Sequence, residues 1–194
     1  MRILLTGFEP FGGRKVNTSW DLIRGLPPDW GGHEVRAVRL PVVYGAAWEA
    51  GAPAVEELKP DVILALGECS NTFFRLERVA INLRDAERPD NAGKSVRNEP
   101  VFPGGPAAYF STLPLGRIHA AMKAVGIPAE YSLSAGGYLC NEVFYRLMRQ
   151  TSTGRVAMAG FIHVPRAEEG ADPRSRYPSN PLEIILSAVT GRPG

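Results

Sequence analysis

Val62-Ile63-Leu64-Ala65-Leu66 is an unbroken run of apolar residues that ends at Gly67. A strand that is buried on both faces has this composition, because neither face needs polar side chains. Such strands lie in the middle of parallel sheets that are covered by helices on both sides. The run therefore predicts the central strand of an α/β fold.

Segments on either side of this run alternate between strand-like and helix-like patterns. We predict strands over residues 2–6, 33–43, 74–83, 130–133 and 155–164, and helices ending at residue 24 and over residues 46–58, 115–125, 138–150 and 181–189. This alternation indicates a mostly parallel sheet between layers of helices. We therefore expect a three-layer αβα sandwich around a twisted open sheet, in a single domain of residues 1–194.

The segment 85–106 follows neither pattern. It is rich in Pro, Gly, Asn and charged residues, and it is too long for a simple connection. We expect it to be a functional loop, such as a mobile gate, or to be disordered.

Composition excludes several classes of function. The net charge of +2 is small, and the basic residues are scattered, so neither nucleic acid nor a membrane surface is an expected partner. Gly7 and Pro10 interrupt the apolar residues after Met1, so no signal peptide is predicted. The two cysteines do not suggest a disulfide scaffold, and we expect a cytoplasmic location. No Cys or His cluster has metal-ligand spacing, so we expect no metal and no cofactor.

Cys140 is a candidate nucleophile. It follows a predicted strand and the small-residue turn Ser134-Ala135-Gly136-Gly137, and it falls in the first turn of the next predicted helix. Free backbone N–H groups at a helix start favour a thiolate and could hold an oxyanion. Cys140 also shares a helical face with Val143, Phe144 and Leu147, and on spacing alone an ordinary core cysteine is the favoured interpretation.

His163 and Glu77 are candidate partners of this cysteine. His163 lies near the end of the predicted strand 155–164, and adjacent parallel strands would bring it to the same sheet edge as Cys140. A cysteine nucleophile needs a base, and an imidazole needs a group that orients it. Glu77 could be that group, although a structural histidine and a surface ion pair are alternatives.

The loop after the first strand contains Phe8 and Phe11 among glycines. It lacks the Gly-Lys-Ser/Thr ending of a phosphate-binding loop and the spacing of the dinucleotide fingerprint. Two phenylalanines suit a flat apolar ligand better than a polyphosphate, although they could instead pack under the loop.

Taken together, several segments resemble the pyroglutamyl peptidase I family, also called pyrrolidone-carboxylate peptidases. They run in the same order along nearly the whole chain. The segments are Leu5-Thr6-Gly7-Phe8-Glu9-Pro10-Phe11-Gly12-Gly13, Asn17-Thr18-Ser19-Trp20, Leu40-Pro41-Val42, Leu76-Glu77-Arg78-Val79-Ala80-Ile81-Asn82, Arg88-Pro89-Asp90-Asn91, Ser134-Ala135-Gly136-Gly137-Tyr138-Leu139-Cys140-Asn141 and Gly160-Phe161-Ile162-His163-Val164-Pro165.

The resemblance implies a cysteine peptidase that removes an N-terminal pyroglutamyl residue from peptides through a thioester. Carried over by position, Cys140 would be the nucleophile, His163 the general base and later acid, and Glu77 the orienting carboxylate. The family is cytosolic, needs no metal and forms dimers or tetramers, so a homo-oligomer is expected.

The resemblance also implies a substrate pocket. Phe8 and Phe11 would sandwich the flat lactam ring, Tyr138 and Leu139 would close the pocket, and Asn17 would belong to its binding residues.

Two positions depart from the family pattern. Glu68 stands where the family usually has a glutamine that lines the pocket, and a carboxylate can accept from a lactam N–H but cannot donate to its carbonyl. The family's arginine near the oxyanion falls on Glu87 here, and Arg88 follows it, so we assign that role to Arg88. Two alternatives remain at this point: a catalytically impaired pyroglutamate-binding protein, and a nucleoside phosphorylase-like enzyme on a related fold.

Overall fold

A computed structural model describes residues 1–192 of the chain, which form one α/β domain. The expected domain, residues 1–194, extends past the described residues. The strands are β1 (Arg2–Phe8), β2 (Asp29–Trp30), β3 (His33–Leu40), β4 (Val62–Cys69), β5 (Phe74–Glu77), β6 (Val79–Ile81), β7 (Arg84–Ala86), β8 (Val96–Glu99), β9 (Ala108–Phe110), β10 (Ala129–Ser132) and β11 (Met158–Pro165). The helices are α1 (Thr18–Ile23), α2 (Ala46–Leu58), α3 (Leu115–Ala124), α4 (Leu139–Ser152) and α5 (Pro181–Thr190).

The main sheet has seven strands in the order β10-β5-β11-β4-β1-β3-β2. The predicted central strand is confirmed, because β4 lies in the middle and pairs in parallel with both β1 and β11. Two pairings are antiparallel, β5 with β11 and β2 with β3, so the sheet is mixed but mostly parallel.

Side chains of β4 alternate between two separate cores. Ile63 and Ala65 pack with residues of α2 and α4 on one face of the sheet. Leu64 and Leu66 pack with residues of α1, α3 and α5 on the other face. A helix layer thus covers each face, as the predicted αβα sandwich requires, and this is why residues 62–66 of β4 are apolar at every position.

The predicted extended segment 74–83 is not one strand. It bends at Arg78, whose backbone N–H donates to Ser132 O over 2.8 Å, and it contributes β5 to the main sheet and β6 to a separate pair with β9. Runs of apolar residues do not reveal a bend of this kind, because both strands bury side chains at alternate positions.

The segment 85–106 has regular structure within it. β7 and β8 pair antiparallel. Arg97 on β8 forms ion pairs with Asp85 on β7, at 2.6 Å, and with Glu87, at 2.7 Å. The buried Asp90 carboxylate accepts from the backbone N–H groups of Tyr44, Ala92 and Lys94. These polar contacts, together with the buried side chains of Val96 and Val101, hold the segment against the core that includes α2 and α4. Within residues 1–192, no helix is both long and apolar enough to cross a bilayer.

Two glycines provide a test of the fold. An alanine methyl at Gly116 in α3 would meet no atom, whereas one at Gly160 in β11 would meet Ser111 Oγ and, at 2.6 Å, Leu113 Cδ1. We expect Gly116→Ala to raise the free energy of unfolding by about 0.5–1 kcal/mol through helix propensity. We expect Gly160→Ala to lower it by about 1–3 kcal/mol through overpacking. Urea unfolding of both variants checks this, and equal midpoints would contradict the packing at β11.

Candidate active site

Cys140 lies in the first turn of α4, as predicted, and the turn before it is held by tight backbone packing. Gly136 has a φ of +80°, which favours glycine. A Cβ on Gly137 would collide with the backbone oxygen of Asp85, and the Asp85 N–H donates to Gly137 O over 2.8 Å. A side chain at position 137 would therefore displace the start of α4.

Asn141, next to the cysteine, ties α4 to the neighbouring strand β6. Its side-chain oxygen accepts from the Ile81 N–H at 3.0 Å, and its amide nitrogen donates to Ile81 O and Leu83 O. The side chain is fully buried, and these three bonds use most of its hydrogen-bonding capacity. Asn141 thus fixes the helix turn that carries Cys140.

The sulfur of Cys140 packs against the end of the central strand. A Cβ built on Gly67 would lie 2.9 Å from Cys140 Sγ and 2.6 Å from Phe161 Cζ. Only a glycine at position 67 leaves room for the sulfur beside this end of β4. The apolar run that ends at Gly67 therefore ends where the site begins.

His163 and Glu77 form a buried pair beside this cysteine. His163 Nδ1 lies 2.7 Å from Glu77 Oε1, and His163 is the register partner of Gly67, against which Cys140 Sγ packs. Glu77 has no exposed surface and His163 is only 5% exposed. The structure thus brings the hydrogen-bonded His163–Glu77 pair and Cys140 to one place at the end of the central strand.

The strands that deliver these residues are arranged differently from the expectation. We expected the strand before Cys140 and the strand of His163 to be adjacent and parallel, and that is wrong: β5 lies between β10 and β11 and is antiparallel to β11. Ser132 at the end of β10 pairs with Glu77, and Glu77 pairs with Phe161. His163 is two residues beyond Phe161 and on the same face of β11, within reach of Glu77. The turn after β10 then carries the chain back over the sheet to Cys140.

The charges beside His163 change its protonation. Burial acts to lower the pKa of His163, but the charge of Cys140, its hydrogen bond, and the bond and charge of Glu77 outweigh it and raise the pKa from 6.5 to about 9. The imidazolium form is therefore stable at neutral pH, where it can pair with a thiolate and later donate a proton.

Four of the predicted pocket residues lie on the same face of the sheet as the cysteine. Phe8 and Leu139 belong to the core on that face, and Phe11, Tyr138 and Cys140 pack against it. The Tyr138 hydroxyl donates to Pro89 O over 3.0 Å, which ties this wall to the segment 85–106. The aromatic and aliphatic groups that the sequence singled out therefore share one core, against which Cys140 also packs.

Arg88 lies over this aromatic loop. Its guanidinium carbon is 4.5 Å from the centroid of the Phe11 ring, a cation–π geometry. A Cβ on Gly12 would collide with its Nη2 atom, so the arginine side chain rests on the loop backbone. The structure thus joins Arg88 to the pocket loop.

Asn17 is buried, and its side-chain groups are engaged within the loop. Its amide nitrogen donates to Glu9 O over 2.9 Å, and its oxygen accepts from Ser19 N and Ser19 Oγ at the start of α1. These bonds close the loop that carries Phe8 and Phe11. The side chain is a helix cap and a loop staple in this structure.

Glu68 is the centre of a buried ion cluster. Its Oε1 accepts from Arg14 Nη1 at 2.7 Å and Arg166 Nε at 2.9 Å, and its Oε2 accepts from Thr18 N and Thr18 Oγ1 at 2.9 Å and 2.8 Å. A carboxylate has about four acceptor positions, so these four donors saturate it. The structure does not bring a free Glu68 oxygen to the pocket; the carboxylate instead joins the pocket loop to the segment that follows His163.

Sequence reasoning missed four residues of the site: Gly67, Asn141, Arg75 and Arg14. Gly67 had a signal, since a glycine that ends a buried strand often marks a close approach of another group. Arg75 and Arg14 had none, because arginines are common in exposed positions and only the folded chain shows which carboxylate each one meets.

Residues 1–192 match the family model described as pyroglutamyl peptidase. The pyrrolidone-carboxylate peptidase of Gloeobacter violaceus is 46% identical over 193 residues, which cover 98% of this chain and 93% of that protein. That of Thermococcus onnurineus is 40% identical over 190 residues, which cover 97% and 94%.

Solved structures agree with these relatives. Pyrrolidone carboxyl peptidase from Pyrococcus furiosus superposes with a TM-score of 0.89 at 37% identity, covering 98% of this chain and 99% of that chain. Pyroglutamyl peptidase I from Bacillus amyloliquefaciens superposes with a TM-score of 0.84 at 37% identity, covering 96% and 92%.

The fold and these similarities define the chain as a cysteine exopeptidase, a class of hydrolase. It belongs to the pyroglutamyl peptidase family, and the resemblance seen in its sequence motifs is confirmed.

The packing of Cys140 against Gly67 predicts the effect of a single methyl group. We expect Gly67→Ala to lower kcat/KM by about 100-fold or more, since a displacement of about 1 Å from the reacting geometry has this effect. Gly116→Ala, which adds the same methyl far from the site, should keep wild-type activity. Steady-state kinetics on folded variants checks this, and an active Gly67→Ala enzyme would contradict the close approach.

The raised pKa of His163 predicts the alkaline side of the pH profile. Below about pH 9, His163 is an imidazolium and can protonate a leaving amine. Above about pH 9, His163 loses this proton, so kcat/KM should fall as the pH rises through about 9. Glu77→Gln removes the negative charge that stabilises the imidazolium, so the fall should begin at lower pH, with kcat reduced by about 10³–10⁴-fold. An unchanged alkaline limb in Glu77→Gln would show that this carboxylate does not act on His163.

Proposed function

We propose that the chain removes N-terminal pyroglutamyl residues from peptides, with Cys140 as nucleophile, His163 as general base and acid, and Glu77 as the group that orients His163. The observation that carries the proposal is the buried His163–Glu77 pair, 2.7 Å apart, next to the half-buried Cys140. A nucleophile, a base and an orienting carboxylate in this order are what acyl transfer by a thiol requires.

The proposed reaction has two stages. The Cys140 thiolate attacks the carbonyl carbon of the pyroglutamyl residue, and the backbone N–H of Cys140, unpaired in the first helical turn, donates to the developing oxyanion. His163 then protonates the leaving amine, the C–N bond breaks, and a thioester remains. A water molecule, deprotonated by His163, hydrolyses the thioester and releases pyroglutamate and the free thiol.

The proposed pocket is formed by apolar surfaces with few polar groups. Phe8 and Phe11 would hold the two faces of the flat lactam ring, while Tyr138 and Leu139 would form the wall next to the nucleophile. Arg88 packs on Phe11, and we propose that it supplies positive charge near the reacting carbonyl. The packing of all four apolar side chains in or against the same core supports this pocket.

Glu68 and Asn17 have a shaping role in this proposal. Glu68 is saturated by Arg14, Arg166 and Thr18, so it acts on the substrate through the positions of the loops it joins. Asn17 fixes the same loop through its bonds to Glu9 and Ser19. The substitution of glutamine by glutamate at position 68 is therefore compatible with activity.

The two alternative functions are less well supported. A nucleoside phosphorylase would have no need for a cysteine beside a buried His–Glu pair. A pyroglutamate-binding protein without catalysis would not need His163 to be held as an imidazolium.

The comparison of two cysteine variants tests the function. With a chromogenic pyroglutamyl amide, we expect Cys140→Ser to lose at least about a thousandfold in kcat, because the hydroxyl is a much weaker nucleophile beside the same base. Cys69→Ser should retain activity, since burial raises the pKa of the Cys69 thiol and makes it a poor nucleophile. Turnover that survives in Cys140→Ser, or wild type that binds the amide without turnover, would refute the proposal.

We also propose a cytoplasmic homo-oligomer, a dimer or a tetramer. A catalytic thiol must remain reduced, which suits a reducing compartment. Phe110 on β9 and Leu133 beside the edge strand β10 are 74% and 71% exposed, an unusual state for large apolar side chains. We expect Leu133→Asp to lower the mass measured by light scattering relative to wild type. A wild-type protein that is monomeric at micromolar concentration would refute the oligomer.

A further inference from the structure

Arg75 contacts both structures that position the reacting groups. It lies two residues before Glu77 on β5, so the two side chains project from the same face of the strand. Arg75 Nε is 3.4 Å from Glu77 Oε1, the same oxygen that accepts from His163. Arg75 is also the register partner of His163 across the β5–β11 pair.

The other end of the guanidinium holds the turn that leads to Cys140. Arg75 Nη2 donates to Ser132 Oγ at 2.6 Å and to Ser134 O at 2.7 Å. The Ser134 side chain in turn accepts from the Gly136 N–H at 3.1 Å. One planar cation therefore connects the orienting carboxylate to the start of the segment that delivers the nucleophile.

We propose that Arg75 is a positioning residue of the reaction, which sets both the orientation of the Glu77 carboxylate and the charge that His163 experiences. The proposal rests on the function assigned above and extends it. A planar guanidinium can contact several partners at once, and here they are Glu77 and the turn that leads to Cys140. Its side chain is 29% exposed, so the ion pair with Glu77 is only partly screened by solvent.

The effect on charge has a definite sign. Glu77 stabilises the imidazolium, and the positive charge of Arg75 opposes that stabilisation. Removal of Arg75 should therefore make His163 harder to deprotonate. The elements packed against β11 carry these charged or titratable side chains: Arg75 and Glu77 on β5, Cys140, Glu142, Tyr145, Arg146 and Arg149 on α4, Asp21 on α1, and Glu68 and Cys69 on β4. Asp21 is paired with Arg24, Glu68 with Arg14 and Arg166, and Glu142 with Arg84 and Arg146. Tyr145 donates to Pro106 O, Arg149 lies over the Phe102 ring, and burial raises the pKa of the Cys69 thiol, so we expect Arg75, Glu77 and Cys140 to be the charges that act on His163.

The experiment is an NMR titration of ¹⁵N-histidine-labelled protein, which needs no substrate. The chain has three histidines, and His163→Ala assigns the signals of His163. In Arg75→Met we expect the titration midpoint of His163 to rise by about 0.5–1 pH unit. In Arg75→Lys, which keeps the charge, the midpoint should stay at the wild-type value.

Arg36→Met is the matched control. Arg36 is another strand arginine that pairs with a glutamate, Glu57 at 2.8 Å, but it lies on β3, away from His163. This variant should leave the midpoint unchanged. A wild-type midpoint in folded Arg75→Met, or an equal shift in Arg36→Met, would overturn the proposal.

Kinetics separate positioning from a general loss of stability. We expect Arg75→Met to lower kcat by about 10- to 100-fold with KM nearly unchanged, because the pocket walls do not contact Arg75. Arg75→Lys should recover part of kcat. If Arg75→Met does not fold, Arg75→Lys is the deciding variant. A kcat of Arg75→Lys equal to that of wild type would then overturn the proposal. If wild type fails to cleave pyroglutamyl amides, the proposed function fails, while the histidine titration still decides the role of Arg75.

Discussion

The burial of Glu77 is the constraint on which the site depends. A carboxylate without exposed surface must be paired, because an isolated buried charge is very unfavourable. Here one oxygen accepts from His163 and faces Arg75, and the other has no side-chain or backbone partner within residues 1–192. The charge of the carboxylate is thus directed at the imidazole, where it adds to the larger effect of the Cys140 charge and raises the pKa of His163.

A second buried carboxylate, Glu68, shows the opposite arrangement. Two arginines and Thr18 saturate both of its oxygens, so its charge is neutralised within the cluster. It sits near the carboxyl end of β4, as Glu77 sits at the carboxyl end of β5. Both side chains are fully buried, and their partners differ: the Glu68 carboxylate holds loops together through arginines and Thr18, whereas the Glu77 carboxylate accepts from His163 through one oxygen.

Particular residues show how far sequence reasoning could reach. The apolar run 62–66 predicted the central strand because a strand covered on both faces has no polar positions, and the turn before Cys140 predicted its place in a helix start. The motifs around Glu77, Cys140 and His163 indicated the family. The adjacency of strands was wrong, since β5 enters between β10 and β11 in the antiparallel sense. Strand order depends on long-range pairing, and no local pattern in the chain encodes it.

The sequence by itself determined the α/β class, the helix that carries Cys140, and the chemical types of the reacting groups, because these follow from local periodicity and from residue identity. Only the tertiary structure decided which oxygen of Glu77 meets His163, that Gly67 makes room for the sulfur, and that Glu68 is saturated while Arg75 connects the two halves of the site. These properties arise between residues far apart in the chain. Hydrogen bonds and close packing act only over a few ångströms, so they come into existence only when folding brings those residues together.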